Sequence, residues 1–271
     1  MPLVLGSCRV CNFYMPYKYE FTHNTKQILQ LIKFVEFSRI NDINKLYTDE
    51  LVLVNRFFNS TRRFKNAIDR IKNVIDSEKE LDNTVIIEIS SIKVLHNKIS
   101  DIYYLYDNYV YVRDNVNIDN SNNRRSIMNL SSKRDKIIES TDDSKQTPSD
   151  ITHDIAEIYK YFNSHGMKII YVPHLNFMTD TGEFIKNRIM LCETLEAFCK
   201  DKGDKCVYFN PLDHISNKTR KDINHYTDTD FKIVKCEIDK IVKKIDKTTN
   251  SFYKFKLYYL YKHYINVVSL I

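Results

Sequence analysis

The stretch Pro2-Leu3-Val4-Leu5-Gly6-Ser7-Cys8-Arg9 decides how the chain is read. Three aliphatic residues run into a Gly-Ser-Cys tripeptide. A short apolar run closed by Gly predicts a buried strand that stops at a tight turn. Whatever follows such a turn is presented at the carboxyl end of the strand, where open α/β sheets hold their ligands. The residue presented here is Cys8. A thiol is nucleophilic only as its thiolate, so a base has to reach it from elsewhere in the chain. Asp222-Ile223-Asn224-His225-Tyr226, an Asp-x-x-His element far downstream, is the first candidate.

Outward from that turn, strand and helix signals alternate. Asn24 with Gln27 three residues later reads as a capping box, and Ile28, Leu31, Ile32 and Val35 follow at helical spacing. Leu51 to Phe58 suits a strand or a helix end, and Phe64, Ile68, Ile71 and Ile75 mark an amphipathic helix after Ser60. Thr84 to Ile89 is a buried-strand pattern closed by Ser90-Ser91. Ile102 to Val112 suits a strand or a cover over the site. Ile151, Ile155, Ile158 and Phe162 form a helix stripe with Gly166 in a C-cap position. Met167 to Val172 and Cys206 to Phe209 are strands, with a long helix over 184–199 between them. Two helices follow, over 230–245 and 251–268. The alternation predicts an α/β fold, a three-layer α/β/α sandwich with a mostly parallel sheet.

With 271 residues the chain is read as a single domain, 1–271. Residues 114–150 interrupt it. Asn, Ser, Asp, Arg and Lys dominate there, and so few apolar side chains cannot offset chain entropy, which predicts a flexible insertion. The 41 basic and 35 acidic residues leave a formal charge of +6, spread thinly and without a nucleic-acid recognition motif, so no nucleic-acid partner is expected. No apolar run approaches the ~18 residues of a membrane span. The six cysteines have no disulfide-framework spacing and no signal peptide precedes them, which points to a reduced, cytoplasmic protein.

The first strand with its Gly-Ser-Cys turn and the late Asp222-x-x-His225 block together resemble the SGNH (GDSL-type) hydrolase superfamily. In that family the first strand runs into Gly-Asp-Ser, with the nucleophile third, and a late Asp-x-x-His block completes the triad. The match puts Cys8 at the nucleophile position, Ser7 at the Asp position, and Asp222 and His225 in the last block. The Cys in place of Ser is similar to Gly-Ser-Cys variants, including the WcbI-like capsule-biosynthesis group, associated with coenzyme A and acetyl transfer to glycans. The resemblance therefore implies acetyl-CoA as donor, a sugar or nucleotide-sugar acceptor, and no metal. The family's Gly block and Asn block have no clear counterpart. Asn55, Ser90 and Ser91 stand nearest their positions as oxyanion or substrate-binding candidates, with Ser7, Arg9 and His23.

The chemistry is coherent on its own terms. His225 Nε2 takes the Cys8 proton while Asp222 orients the imidazole and stabilises its charged form, and backbone N–H groups at the turn steady the oxyanion. Arg9 suits donor phosphates. Two alternatives use the same fold: an esterase or thioesterase, and a non-catalytic glycan-binding module. Cys8-Arg9-Val10-Cys11 also reads as a Cys-x-x-Cys redox pair, although a thioredoxin-like unit is far shorter, and structural zinc lacks a second close pair. His23 suits a capping role. His174 and His214 each follow a predicted strand and compete with His225 as the base.

Overall fold

The computed structural model describes residues 2–7, 9, 22–55, 58–76, 84–114, 130–179, 181–215 and 225–245. At its centre is a parallel four-stranded sheet. β1 (Leu3–Leu5) lies at one edge, followed by β2 (Thr84–Ile89), β6 (Lys168–Pro173) and, at the other edge, β7 (Cys206–Tyr208). Leu3 faces Val85 across the first ladder, Val85 faces Ile169 across the second, and Ile169 faces Cys206 across the third. All six residues of β2 are buried, so both faces of the sheet are covered. That is why these strands read as continuous aliphatic runs with no polar alternation.

The connections between successive strands carry helices that flank the sheet. These are α1 (Thr25–Ile40), α3 (Thr61–Ile75), α6 (Pro148–Ser164) and α7 (Lys186–Lys202). α1 packs against α3 and α6, α6 against α7, and α3, α6 and α7 against strands of the sheet. The α/β architecture expected from the sequence is the one observed. The capping box at Asn24 and Gln27 is present, and Ser60 accepts from the Arg63 N–H to start α3. Leu51 to Phe58, open between strand and helix, contains the one-turn α2 (Leu51–Val54). Gly166, at φ 73°, lets the chain turn out of α6 toward β6. A helix over 228–245, α8, buries Val234, Ile238 and Ile245 in the same core. The expected helix over 251–268 lies outside the described residues.

A second sheet was not foreseen. β3 (Lys93–Asn97) pairs antiparallel with β4 (Ile102–Tyr104) on one side and β5 (Thr141–Lys145) on the other. α4 (Tyr106–Arg113) follows β4, so the 102–112 segment is strand and then helix. β5 and the short α5 (Arg134–Glu139) correct the reading of 114–150 as a flexible insertion for its described part, 130–150. The physical reason is plain. Thr141-Asp-Asp-Ser-Lys145 joins the sheet through its backbone, while Leu130 and Ile137 join the buried core, so few apolar side chains suffice. Residues 115–129 lie outside the described residues.

Candidate functional site

The carboxyl ends of β1, β2 and β6 meet at one rim, tied by main-chain bonds. The Thr22 N–H donates to the Gly6 carbonyl (3.4 Å), the Ser90 and Ser91 N–H groups both donate to the His23 carbonyl (2.8 Å each), and the His174 N–H donates to the Ile89 carbonyl (3.1 Å). The side chain at the α1 cap reaches the same place: Asn24 Nδ2 donates to the Lys93 carbonyl at 2.8 Å, and Gln27 Oε1 accepts from the His23 N–H at 2.6 Å. Above this rim is a cleft of about 340 Å³. Ser7, Arg9, His23, Ser90, Ser91 and His225 line it, joined by Lys93, Tyr106, Asp107 and His174.

Beneath the cleft is Glu88, the only acid in β2. Its carboxylate accepts from the Ser7 N–H at 2.9 Å, from the Ser7 hydroxyl, and from Arg9 Nε at 2.6 Å. The Glu88 side chain is 2% exposed and that of Arg9 9%, so the pair is buried. A buried carboxylate survives only when it is matched in this way. Three bonds from the turn residues on either side of position 8 make Glu88 the anchor of that turn. Burial and the Glu88 charge push the Tyr226 hydroxyl well above its usual pKa, with Arg9 opposing, so Tyr226 packs close to this pair. That places the 225–226 segment over the end of β1.

On the β6 side, His174 Nδ1 donates to the Leu175 carbonyl at 2.7 Å, and Arg188 Nη1 donates to the same oxygen at 2.7 Å. Burial first, then the charges of Arg9 and Arg188, lower the His174 pKa to about 2. Burial and Arg9 lower that of Arg188 to about 10. His174 is therefore neutral at physiological pH and a weak base. His214, the other competitor of His225, stacks on Phe209 at 4.9 Å and does not line the cleft. Lys93 closes the far wall, its Nζ 4.0 Å from the centre of the Tyr106 ring and 2.9 Å from Asp143.

Cys8, Cys11 and Asp222 lie outside the described residues. Ser7 and Arg9, on either side of Cys8, line the cleft together with His225. Asn55 does not join them: it is fully buried at the end of α2, where its N–H donates to the Leu51 carbonyl. The backbone N–H groups of Ser7, Ser90 and Ser91 are already committed to Glu88 and His23, which removes them as oxyanion donors. The Ser91 hydroxyl accepts from the Lys93 N–H at 2.9 Å and retains its own proton for a ligand. Glu88 was the residue that sequence reasoning missed. Its signal was an acid inside an otherwise aliphatic buried run, since such an acid needs a cation nearby.

Among the described residues no group of three or more His, Cys, Asp or Glu side chains is arranged to hold a metal ion, and no helix is long and apolar enough to cross a membrane. A larger hollow of about 440 Å³, between α1 and the β3–β4 turn, is lined by Phe34, Phe37, Leu46 and Tyr103 and contains neither Cys nor His. Cys199 and Cys206 face each other in the core with their sulfurs 3.1 Å apart, and Cys192 is half-buried. No family model, curated protein or solved structure matches the chain.

Proposed function

We propose that this chain is an acyltransferase that moves an acetyl group from acetyl-coenzyme A to a sugar or nucleotide sugar through Cys8, His225 and Asp222. The observation that carries the reading is the convergence of Ser7, Arg9 and His225, from opposite ends of the sequence, on one cleft at the sheet's carboxyl rim. Open α/β sheets place their reacting groups at that rim. Glu88 supports the reading too, because a buried anchor under the 7–9 turn holds the nucleophile's neighbours in place.

In this mechanism His225 takes the Cys8 proton, and the thiolate attacks the thioester carbonyl. The tetrahedral intermediate collapses, and the coenzyme A thiolate leaves as it takes the proton back from His225. One thioester replaces another, so the first half-reaction is close to neutral in energy. The acceptor then gives its proton to His225 and attacks the acyl-thioenzyme, which releases the Cys8 thiolate. With the Ser7, Ser90 and Ser91 amides committed, the oxyanion falls to the Arg9 charge and the Ser91 hydroxyl. A free thiol and a thioester donor suit a cytoplasmic setting.

The test is intact-protein mass after incubation with acetyl-CoA. The expected result is one acetyl group on Cys8, absent from Cys8→Ala. Coenzyme A release that rises with added amino sugar supports transfer; release independent of acceptor assigns the same site to thioester hydrolysis. Unchanged turnover in Cys8→Ala ends the thiol mechanism.

A further inference from the structure

Two thiols face each other away from the cleft. Cys199, in the last turn of α7, and Cys206, the first residue of β7, are each 4% exposed. Their sulfurs are 3.1 Å apart. A disulfide bond is ~2.05 Å long, so about 1 Å of closure joins them. The helix and strand that carry them are already packed together. Cys192 and Cys236, the other described thiols, share no such contact.

The two sulfurs bracket the corner where α7 gives way to β7. The residues between them, Lys200-Asp-Lys-Gly-Asp-Lys205, offer the core nothing apolar. β7 is three residues long and lies at the edge of the sheet, with its ladder to β6 alone. Cys206 stands opposite Ile169 in that ladder. A bond from Cys206 to Cys199 would hold an edge strand that backbone pairing secures on one side only.

We propose that Cys199 and Cys206 form a reversible redox pair, closed to a disulfide by peroxide and reopened by thiol reductants, which fastens β7 to α7 when closed. One thiol gives two electrons to the peroxide and becomes a sulfenic acid, releasing one water. The second sulfur attacks that sulfenic sulfur, and its proton leaves with the displaced hydroxide as a second water. Because the fold holds the second thiol in contact, this step is intramolecular and outruns attack by a thiol from solution. The Cys199 thiol and burial push the Cys206 pKa up, so the pair reacts more slowly than exposed Cys236. The pair stands apart from Cys8 and from the acyl-transfer reading.

The test treats the full reduced chain with hydrogen peroxide, denatures it, alkylates it with N-ethylmaleimide and digests it with trypsin. Trypsin cuts at Lys200, Lys202 and Lys205, which separates the two cysteines. The expected product is peptide 189–200 joined to peptide 206–218, two hydrogens lighter than its parts, linked at Cys199 and lost after dithiothreitol. Lost alkylation at Cys236 reports that the oxidant was active. The oxidised chain should melt about 5 °C above the reduced one, the order expected for closing a short loop. Cys206→Ala and Cys199→Ser should each lack that rise. Cys199 and Cys206 both still alkylated once Cys236 is oxidised, or both carried on to sulfinic acid, overturns the pair. A linked product with an unchanged melting point overturns the fastening of β7. Peptide mapping is read on the wild-type chain, so it does not depend on either variant folding.

Discussion

Glu88 and His174 sit a few residues apart on neighbouring strand ends, and they put opposite electrostatic problems at the base of the cleft. Glu88 is an anion held in the interior by Arg9 and Ser7. Removing one partner of a buried pair strands the other, at a cost of about 3–5 kcal/mol. Glu88→Ala should therefore lower the urea midpoint sharply and loosen the 7–9 turn, with Glu88→Gln intermediate because its amide oxygen still accepts from Ser7. His174 is an imidazole kept neutral. Its folded pKa, near 2, lies below the unfolded value of ~6.5, so between those values the unfolded chain binds the extra proton. Its contribution is fully present above pH ~6.5 and is lost as pH falls below that, at about 1.4 kcal/mol per pH unit. Wild type should lose stability between pH 6.5 and 5 faster than His174→Phe by about that slope, measured by urea unfolding at each pH. A parallel loss in both proteins would show that His174 is protonated in the folded state as readily as in the unfolded one.

The elements differ in how much of them local sequence could show. The Asn24–Gln27 box and the Ser60 cap were legible because both partners lie within one helical turn. What was not legible is that Asn24 also donates to the Lys93 carbonyl, a bond across 69 positions that holds the cap against the rim. Asn24→Ala should accordingly cost more than the ~1 kcal/mol of an ordinary N-cap and should also reduce the proposed acyl transfer, because His23 and the Ser90–Ser91 amides hang from the same junction. Thr147→Ala, at the cap of α6, is the control: its box with Asp150 is exposed and local, so stability falls by about 1 kcal/mol and activity stays. β5 shows the opposite failure of sequence reading. Polarity signalled a segment unable to fold on its own, but the strand it pairs with supplies the backbone partners that composition cannot reveal.

At the scale of the molecule, the helix layer is pinned by a buried carboxylate as well as by apolar packing. Asp154 of α6 is 1% exposed and meets Lys26 Nζ at 2.8 Å and Gln146 Nε2 at 2.8 Å, with the Thr25 hydroxyl beside them. It joins the start of α1 to α6 and to the exit from β5. Asp154→Ala leaves Thr25 and Gln146 buried without their shared acceptor and should lower stability by about 3 kcal/mol, read from the thermal or urea transition. By itself the sequence determined the α/β class, the parallel core strands and most helix starts, because apolar periodicity and capping residues act within a few positions of each other. It also marked the Gly-Ser-Cys turn and the late Asp-x-x-His block as chemically unusual. Only the tertiary structure decided that Ser7, Arg9 and His225 share a cleft, that Glu88 anchors the turn, that Asn55 stands apart, and that His174 is buried and neutral. Those properties arise from distance, burial and charge among residues far apart in the chain, and local pattern carries no information about any of the three.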